Sequence, residues 1–218
     1  MIDSPLPSRR RGRPPKDAEG GAATKAALLR AGVAALTEKG FVAAGIDEIL
    51  GSVGVPKGSF YHYFTSKDGF GVVLLDTYFD HYVHGMQQLF DQPGLTQHAK
   101  LMRYWDAWID NQTGCTEAGK CLAVKLGAEV SDLSEPMRLA LQRGTSRTIA
   151  LLAVALQRGV EDGSLRLQHR PQDLAQQLYA LWLGSSVMSK ITLTSAPFDE
   201  ALLLTRQLLG HPEHTDIH

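Results

Sequence analysis

The stretch from Gly54 to Phe64 reads Gly-Val-Pro-Lys-Gly-Ser-Phe-Tyr-His-Tyr-Phe, and it predicts a turn followed by a very short helix. Pro56 suits the first position of a helix, where the N–H that proline lacks would have no partner. Phe60 and Phe64 are four residues apart, so both face one side of that helix and can be buried together. A helix of under two turns is not stable alone, so neighbouring helices must hold it.

A second amphipathic helix lies immediately upstream. Its apolar side chains recur at the i, i+3, i+4 and i+7 spacing of one helical face, and they are Ile46, Ile49, Leu50 and Val53. Two short helices joined by a turn at Gly54 predict a helix-turn-helix. The second helix of that motif enters the major groove of DNA. The candidate contacts are Lys57, Gly58, Ser59, Tyr61, His62 and Tyr63.

The spacing and residue types of this region resemble the TetR family of bacterial repressors. The resemblance rests on Gly40-Phe41, on Ile46 to Leu50 and on Gly54-Val55-x-Lys57-Gly58-Ser59-Phe60-Tyr61-x-Tyr63-Phe64-x-x-Lys67. It implies a repressor that binds double-stranded operator DNA. Lys67 would contact a DNA phosphate. The free N–H groups of the helix N-terminus at Lys67 would also attract that phosphate. The family usually opens its second helix with a hydroxyl residue, whereas this chain has Ala44 and Gly45 there.

The composition predicts a protein of a reducing cytoplasm, and the TetR resemblance implies that the cell is bacterial. The chain has 218 residues, of which 44% are hydrophobic, and only 2 cysteines, too few for a disulfide framework. No apolar run is long enough to span a membrane, and the first residues do not form a signal peptide. Residues 1–70 carry 10 basic and 7 acidic side chains, whereas residues 71–218 carry 12 and 16. This asymmetry suits a nucleic-acid-binding head on a body that avoids nucleic acid.

The two ends of the chain predict segments outside the folded core. Residues 1–20 are rich in Pro, Arg and Gly and predict a disordered basic arm. Its Arg-Gly-Arg-Pro core resembles an AT-hook, which would place Arg11 and Arg13 in a narrow A·T-rich minor groove. The alternative is a solubilising tail. Residues 211–218 predict a polar tail.

Helical periodicity continues through the rest of the chain, so we expect an all-α fold of about nine helices. Residues 21–66 form the predicted helix-turn-helix domain, and residues 67–210 the effector-sensing and dimerisation domain. The first helix is predicted to end at Gly40, and Thr65 is predicted to cap the fourth. The remaining helices are predicted near residues 95–111, 121–130, 134–162, 171–193 and 197–209.

The last two predicted helices are apolar on more than one side, so each needs more than one partner. The TetR resemblance implies that they pair with their copies as a four-helix homodimer interface. An internal core pair is the alternative. A dimer is favoured because a helix-turn-helix protein needs two heads for the two half-sites of an inverted repeat.

Bulky aromatic residues in the body could line a ligand cavity, although each one alone is better explained as core. They are Tyr104, Trp105, Trp108, Tyr179 and Trp182. No metal site is expected, because His81 and His84 with Asp80 form only a weak ligand pattern. No cofactor is expected.

Cys121 begins a predicted helix and is flanked by Lys120 and Lys125. A helix N-terminus and nearby ammonium groups favour the thiolate, which attacks oxidants and electrophiles. The alternative is a small buried apolar side chain, as free cysteines usually are. Cys115, six residues earlier, would permit a local disulfide.

Residues 119–138, 178–184 and 190–191 resemble the TetR-family subgroup that contains the N-ethylmaleimide reductase repressor. This resemblance implies that Cys121 senses reactive electrophiles and chlorine oxidants, with Lys190 as its partner. A repressor released by a reversibly bound small molecule, such as an acrylate-like acid, is the alternative. An enzyme is less favoured, because the chain has no GxSxG, HExxH, Cys-x-x-Cys or phosphate-binding glycine loop.

Overall fold

The computed structural model describes residues 18–114 and 121–210. Within these two ranges the chain forms nine α-helices and no strand, which confirms the predicted all-α fold. The helices are α1 (Ala18–Ala43), α2 (Ile46–Val53), α3 (Lys57–Tyr63), α4 (Lys67–Phe90), α5 (Gln97–Thr113), α6 (Leu122–Leu133), α7 (Glu135–Glu161), α8 (Pro171–Thr192) and α9 (Ala196–Leu209). The predictions for Arg11 and Arg13 in the arm, for Cys115 and for the polar tail fall outside the described residues.

The head consists of α1, α2 and α3. Gly40 leaves helical geometry at φ 84°, as predicted for a helix end, but helical turns resume from Phe41 to Ala43. Gly54 ends α2 in the left-handed region at φ 65°, which a glycine adopts without steric cost. Phe60 is fully buried, and its ring lies 5.3 Å from that of Phe70, which joins α3 to α4.

Two predicted caps are displaced by one position. Pro56 is the N-cap of α3 and has extended backbone geometry, so it precedes the first helical residue instead of occupying it. Ser66, and not Thr65, caps α4, because its hydroxyl accepts the Gly69 N–H at 2.9 Å. Gly45 opens α2 with no side-chain cap, as its lack of a hydroxyl requires.

The body is built around α4 and α7, which run parallel. Three ion pairs join them at a constant separation of 67 residues in sequence: Arg143–Asp76, Arg147–Asp80 and Arg158–Asp91. Each pair is substantially exposed and contributes about 0.2–1 kcal/mol. The buried side of the contact needs glycine, because a Cβ on Gly144 would lie 2.0 Å from the Phe79 ring.

The helices α5, α8 and α9 complete the body around two fully buried indoles. The rings of Trp105 on α5 and Trp182 on α8 are stacked, with centroids 4.6 Å apart. Trp182 donates its indole N–H to the hydroxyl of Thr205 on α9 at 2.9 Å. Among the described helices, none is long and apolar enough to cross a membrane.

Candidate functional site

The side chains predicted to read DNA lie on α3 and its flanks. Lys57, Tyr61 and His62 are exposed, Gly58 presents open backbone, and Ser59 and Tyr63 are half-buried. The Lys57 ammonium lies 2.9 Å from the Asp47 carboxylate, and the hydrogen bond between them raises the pKa of Lys57. One face of α3 is therefore accessible to a macromolecular partner, while its opposite face, at Phe60, is buried.

Lys67 lies between the head and the body. Its ammonium donates to the carbonyl of Val42 at 3.2 Å and sits 4.8 Å from the centroid of the Phe41 ring. Both partners belong to the short helical segment that follows Gly40. The side chain predicted to bind a phosphate thus also supports the connection between α1 and α2.

Cys121 is the N-cap of α6 and is only 7% exposed. Burial raises the pKa of its thiol, and this effect exceeds the opposing effects of the Val124 and Ala123 N–H groups, the Tyr78 hydroxyl and the charge of Lys190. The N–H groups of the helix N-terminus lower the pKa of Cys121, as predicted, but desolvation of the buried anion raises it further, so the thiol form is favoured.

Of the two flanking lysines, Lys125 does not act on the sulfur as predicted. Lys125 donates to the carbonyl of Glu38 on α1 at 3.1 Å, so its ammonium is engaged with the head. Lys120 falls outside the described residues. Lys190 on α8 is the lysine whose charge acts on the sulfur. The sequence near Cys121 could not predict this, because the Lys125 ammonium is taken up by a contact with α1, which lies far away in sequence.

Four tyrosines surround Cys121 closely enough to interact with it electrostatically: Tyr78, Tyr82, Tyr104 and Tyr179. Burial raises the pKa of all four phenols, so they stay neutral. The Tyr78 hydroxyl is hydrogen-bonded to the Cys121 sulfur and to the Leu122 N–H. The Tyr82 and Tyr104 hydroxyls are 2.8 Å apart. Sequence reasoning missed Tyr78 and Tyr82, although their four-residue spacing on α4 places them on one face.

The aromatic residues predicted to line a pocket are mostly core. Trp105, Trp182 and Tyr179 are buried, and Trp108 donates its N–H to Ser186 at 2.9 Å. Tyr104 and Trp108 also border a cavity of about 310 Å³ between α4 and α5. A larger cavity of about 640 Å³ lies between α1 and α4. Sequence analysis did not predict this cavity, because its lining residues come from two separate helices and form no motif.

The helix that begins at Cys121 also holds the end of α1. One oxygen of Glu129 accepts the Phe41 N–H at 3.0 Å, and the other accepts the Val42 N–H at 2.8 Å. Lys125 binds the preceding turn through Glu38. A displacement of α6 would therefore also move the end of α1, which leads into α2 and α3.

The outer faces of α8 and α9 expose large apolar side chains. They are Val187, Met188, Ile191, Leu203 and Leu204, which are 41–68% exposed. Gly184 lies on the same face of α8 and leaves open space beside its backbone. Elsewhere, no group of three or more His, Cys, Asp or Glu suited to a metal occurs in the part of the chain that the structure describes.

Two family models match this chain. Residues 28–70 match the model described as bacterial regulatory proteins, tetR family, and residues 98–204 match the tetracyclin repressor-like C-terminal domain. The HTH-type transcriptional repressor NemR of Escherichia coli strain K12 is 36% identical over 189 residues, which cover 87% of this chain and 95% of the relative. The transcriptional regulator AcuR of Cereibacter sphaeroides is 34% identical, over 90% and 91% of the two chains. The crystal structure of reduced E. coli NemR superimposes with a TM-score of 0.83 at 37% identity, covering 88% of this chain and 99% of that one.

Proposed function

The chain belongs to the TetR family of DNA-binding transcriptional repressors, and from that premise we propose that it is a homodimer released from its operator when Cys121 reacts with an electrophile or an oxidant. The observation that carries this proposal is the position of α6. Cys121 is its N-cap, and Glu129, on the same helix, binds the backbone of Phe41 and Val42 at the head.

The burial of Cys121 has two consequences for such a sensor. It holds the resting thiol neutral, which protects it from weak oxidants, since the thiolate is the reactive form. It also means that any added group must displace its surroundings, because protein interiors are close-packed. When the thiolate does form, the N–H groups of Ala123 and Val124, the Tyr78 hydroxyl and Lys190 are in place to stabilise it.

Oxidation and alkylation would proceed differently at this site. Hypochlorous acid transfers chlorine to the sulfur, and the thiol proton leaves with the hydroxide as water. The Lys190 amine, once deprotonated, can then displace chloride to form an S–N bond between α6 and α8. An electrophile instead adds to the sulfur directly and needs no lysine. Either product alters the contacts of the first turn of α6.

Release from DNA requires that the modified state favour another spacing of the two heads. The heads of a helix-turn-helix dimer meet half-sites about 34–36 Å apart, one DNA turn. We propose that α6 transmits the change through Glu129 and Lys125 to the end of α1. The candidate groove contacts Lys57, Tyr61 and His62 would then no longer align with the major grooves of the two half-sites. Lys67 would likewise move away from the DNA backbone.

The exposed apolar faces of α8 and α9 support the proposed dimer. On α8, Gly184, Val187, Met188 and Ile191 lie on one face, and on α9 Leu203 and Leu204 lie together. Contiguous apolar surface of this kind usually marks an interface. Pairing each helix with its copy would cover these side chains in one isologous contact.

A gel-shift titration tests the proposed function. Operator DNA containing the inverted repeat would be titrated with the reduced protein, with protein treated with N-ethylmaleimide, and with protein treated with hypochlorite and then dithiothreitol. We expect tight binding, loss of binding, and loss followed by recovery, respectively. Failure of the reduced protein to prefer operator over unrelated DNA would contradict the repressor assignment.

A repressor released by a reversibly bound molecule is the second candidate, and the α1–α4 cavity favours it. At about 640 Å³ the cavity lies within the usual range for small-molecule sites. This candidate predicts that release survives replacement of Cys121 and is reversed by dialysis alone.

A further inference from the structure

The cavity between α1 and α4 has an apolar interior and a polar rim. Its walls include Leu29 and Val33 from α1 and Leu74 from α4. Arg30 and His81 also line it, and both are exposed at its mouth. A pocket of this kind suits a molecule with an apolar body and one oxygen-bearing group, which a guanidinium or imidazole can bind at the rim.

Tyr78 connects this cavity to the sensor cysteine. Its side chain lines the cavity, and its hydroxyl is hydrogen-bonded to the Cys121 sulfur. The Leu122 N–H also acts on this hydroxyl, which places the phenol oxygen near the N-terminus of α6. The Tyr78 side chain therefore contacts both the cavity and the buried sulfur.

We propose that the α1–α4 cavity is a docking site from which apolar α,β-unsaturated carbonyl compounds reach Cys121, with Tyr78 as the gate between them. The inference rests on the proposed thiol switch and names the class of molecule that the switch selects. The apolar body lies against Leu29, Val33 and Leu74, and the carbonyl or an attached carboxylate lies toward Arg30 and His81. Rotation of the Tyr78 ring opens the path to the sulfur.

The reaction at the sulfur is a conjugate addition that needs no further reagent. The thiolate forms an S–C bond to the β-carbon, and the π electrons of the C=C bond move onto the carbonyl as an enolate. The proton released by the thiol finally resides on the α-carbon, so the net change is addition of S–H across the double bond. Nothing is oxidised or reduced overall.

Docking before reaction makes the sensor selective. Labelling of Cys121 should saturate with reagent concentration for a bulky apolar electrophile, because a filled cavity limits the rate. A small oxidant such as hydrogen peroxide does not need to bind in the cavity. Its rate of reaction with Cys121 should therefore rise in proportion to its concentration. Because α1 forms one wall, an occupied cavity also touches the helix that carries the reading head.

The test measures the rate of Cys121 labelling by intact mass, without DNA, in full-length protein that carries Cys115→Ser, so that Cys121 is the one thiol of the chain. The probes are N-phenylmaleimide, N-(4-carboxyphenyl)maleimide and hydrogen peroxide. Ala34→Trp, an exposed position lining the cavity, should slow both maleimides at least tenfold and change the peroxide rate less than twofold. Gln87→Trp, at an exposed position of α4 on the face opposite these lining residues, is the control and should change neither. Arg30→Gln should slow the carboxylated maleimide several-fold more than the neutral one.

Three results would overturn the inference. The first is linear concentration dependence with equal maleimide rates in Ala34→Trp and the wild type. The second is an equal slowing of maleimides and peroxide, which would mean that the substitution only buries Cys121 further. The third is much faster, unsaturable labelling in a chain lacking residues 1–17, which would assign the cavity to the N-terminal segment. Cavity-dependent labelling without release from DNA would instead uphold this inference and contradict the proposed function.

Discussion

The carboxylate of Glu129 accepts the backbone N–H of Val42 at 2.8 Å, which ties the sensor helix α6 to the last residues of α1. Its second oxygen accepts the Phe41 N–H at 3.0 Å. This approach requires Gly40, because a Cβ there would lie 2.6 Å from a Glu129 oxygen and its φ is 84°. The backbone that leads into α2 is thus held by one side chain of the helix that begins at Cys121.

Glu129→Gln should weaken the coupling between sensor and head. An amide has one acceptor oxygen and would face the second N–H with its own NH₂, so one charge-assisted bond is lost, worth about 1.5–3 kcal/mol. The measurement is the ratio of operator Kd after and before N-ethylmaleimide treatment. We expect this ratio to fall at least fivefold toward 1, while the rate of Cys121 labelling stays unchanged.

Asp132→Asn, an exposed carboxylate on the same helix, is the matched control and should leave the ratio unaltered. If Glu129→Gln lowered only the thermal stability and kept the wild-type ratio, the coupling would run through other contacts.

Local patterns predicted most of the fold, because helix periodicity and turn residues act over a few positions. For example, the apolar spacing within α2 and the glycine at position 54 were enough to predict where this helix lies and where it ends. The state of Cys121 depends on its burial and on Tyr78 and Lys190, which are distant in sequence, so the adjacent residues alone could not predict it. The contacts of Lys125 and Glu129 could not be predicted either, because both side chains bind the end of α1, which lies 87 or 88 residues away in sequence.

Replacement of groove-facing side chains should reduce sequence preference more than overall DNA affinity. His62→Ala removes an exposed side chain of α3, and Tyr61→Phe removes a hydroxyl while keeping the ring that packs edge-on against Phe60. Each lost base contact should cost about 1–3 kcal/mol on operator and little on unrelated DNA. His84→Ala, on the exposed surface of α4, is the control. Equal losses on both DNAs would place these residues on the backbone instead.

Leu204→Arg should separate the subunits. The side chain is 41% exposed in one chain, and the proposed interface would bury its replacement as an unpaired charge, at a cost of several kcal/mol. Light scattering should show monomers at concentrations where the wild type is dimeric. Leu139→Arg, at a similarly exposed leucine on α7, should remain dimeric. A dimeric Leu204→Arg protein with normal operator affinity would count against this interface.

Alkylation of Cys121 should keep accelerating at a pH where an exposed thiol has levelled off. Burial raises the pKa of the Cys121 thiol, so its thiolate fraction continues to grow above the ordinary pKa of cysteine. The rate of N-ethylmaleimide labelling would be followed by mass from pH 7 to 10 in the Cys115→Ser protein, beside a denatured sample of it as the reference. A plateau at lower pH than the reference would mean that the lysine and the N–H groups outweigh burial after all.

The most direct test of the thiol switch is the operator Kd of Cys121→Ser measured before and after N-ethylmaleimide or hypochlorite. Serine keeps the size of the side chain but not its nucleophilicity, so we expect normal binding that neither reagent changes. Cys115→Ser is the control and should respond as the wild type does, while Lys190→Ala should lose more of the hypochlorite response than of the maleimide response. A Cys121→Ser protein that still leaves its operator on treatment would contradict the account.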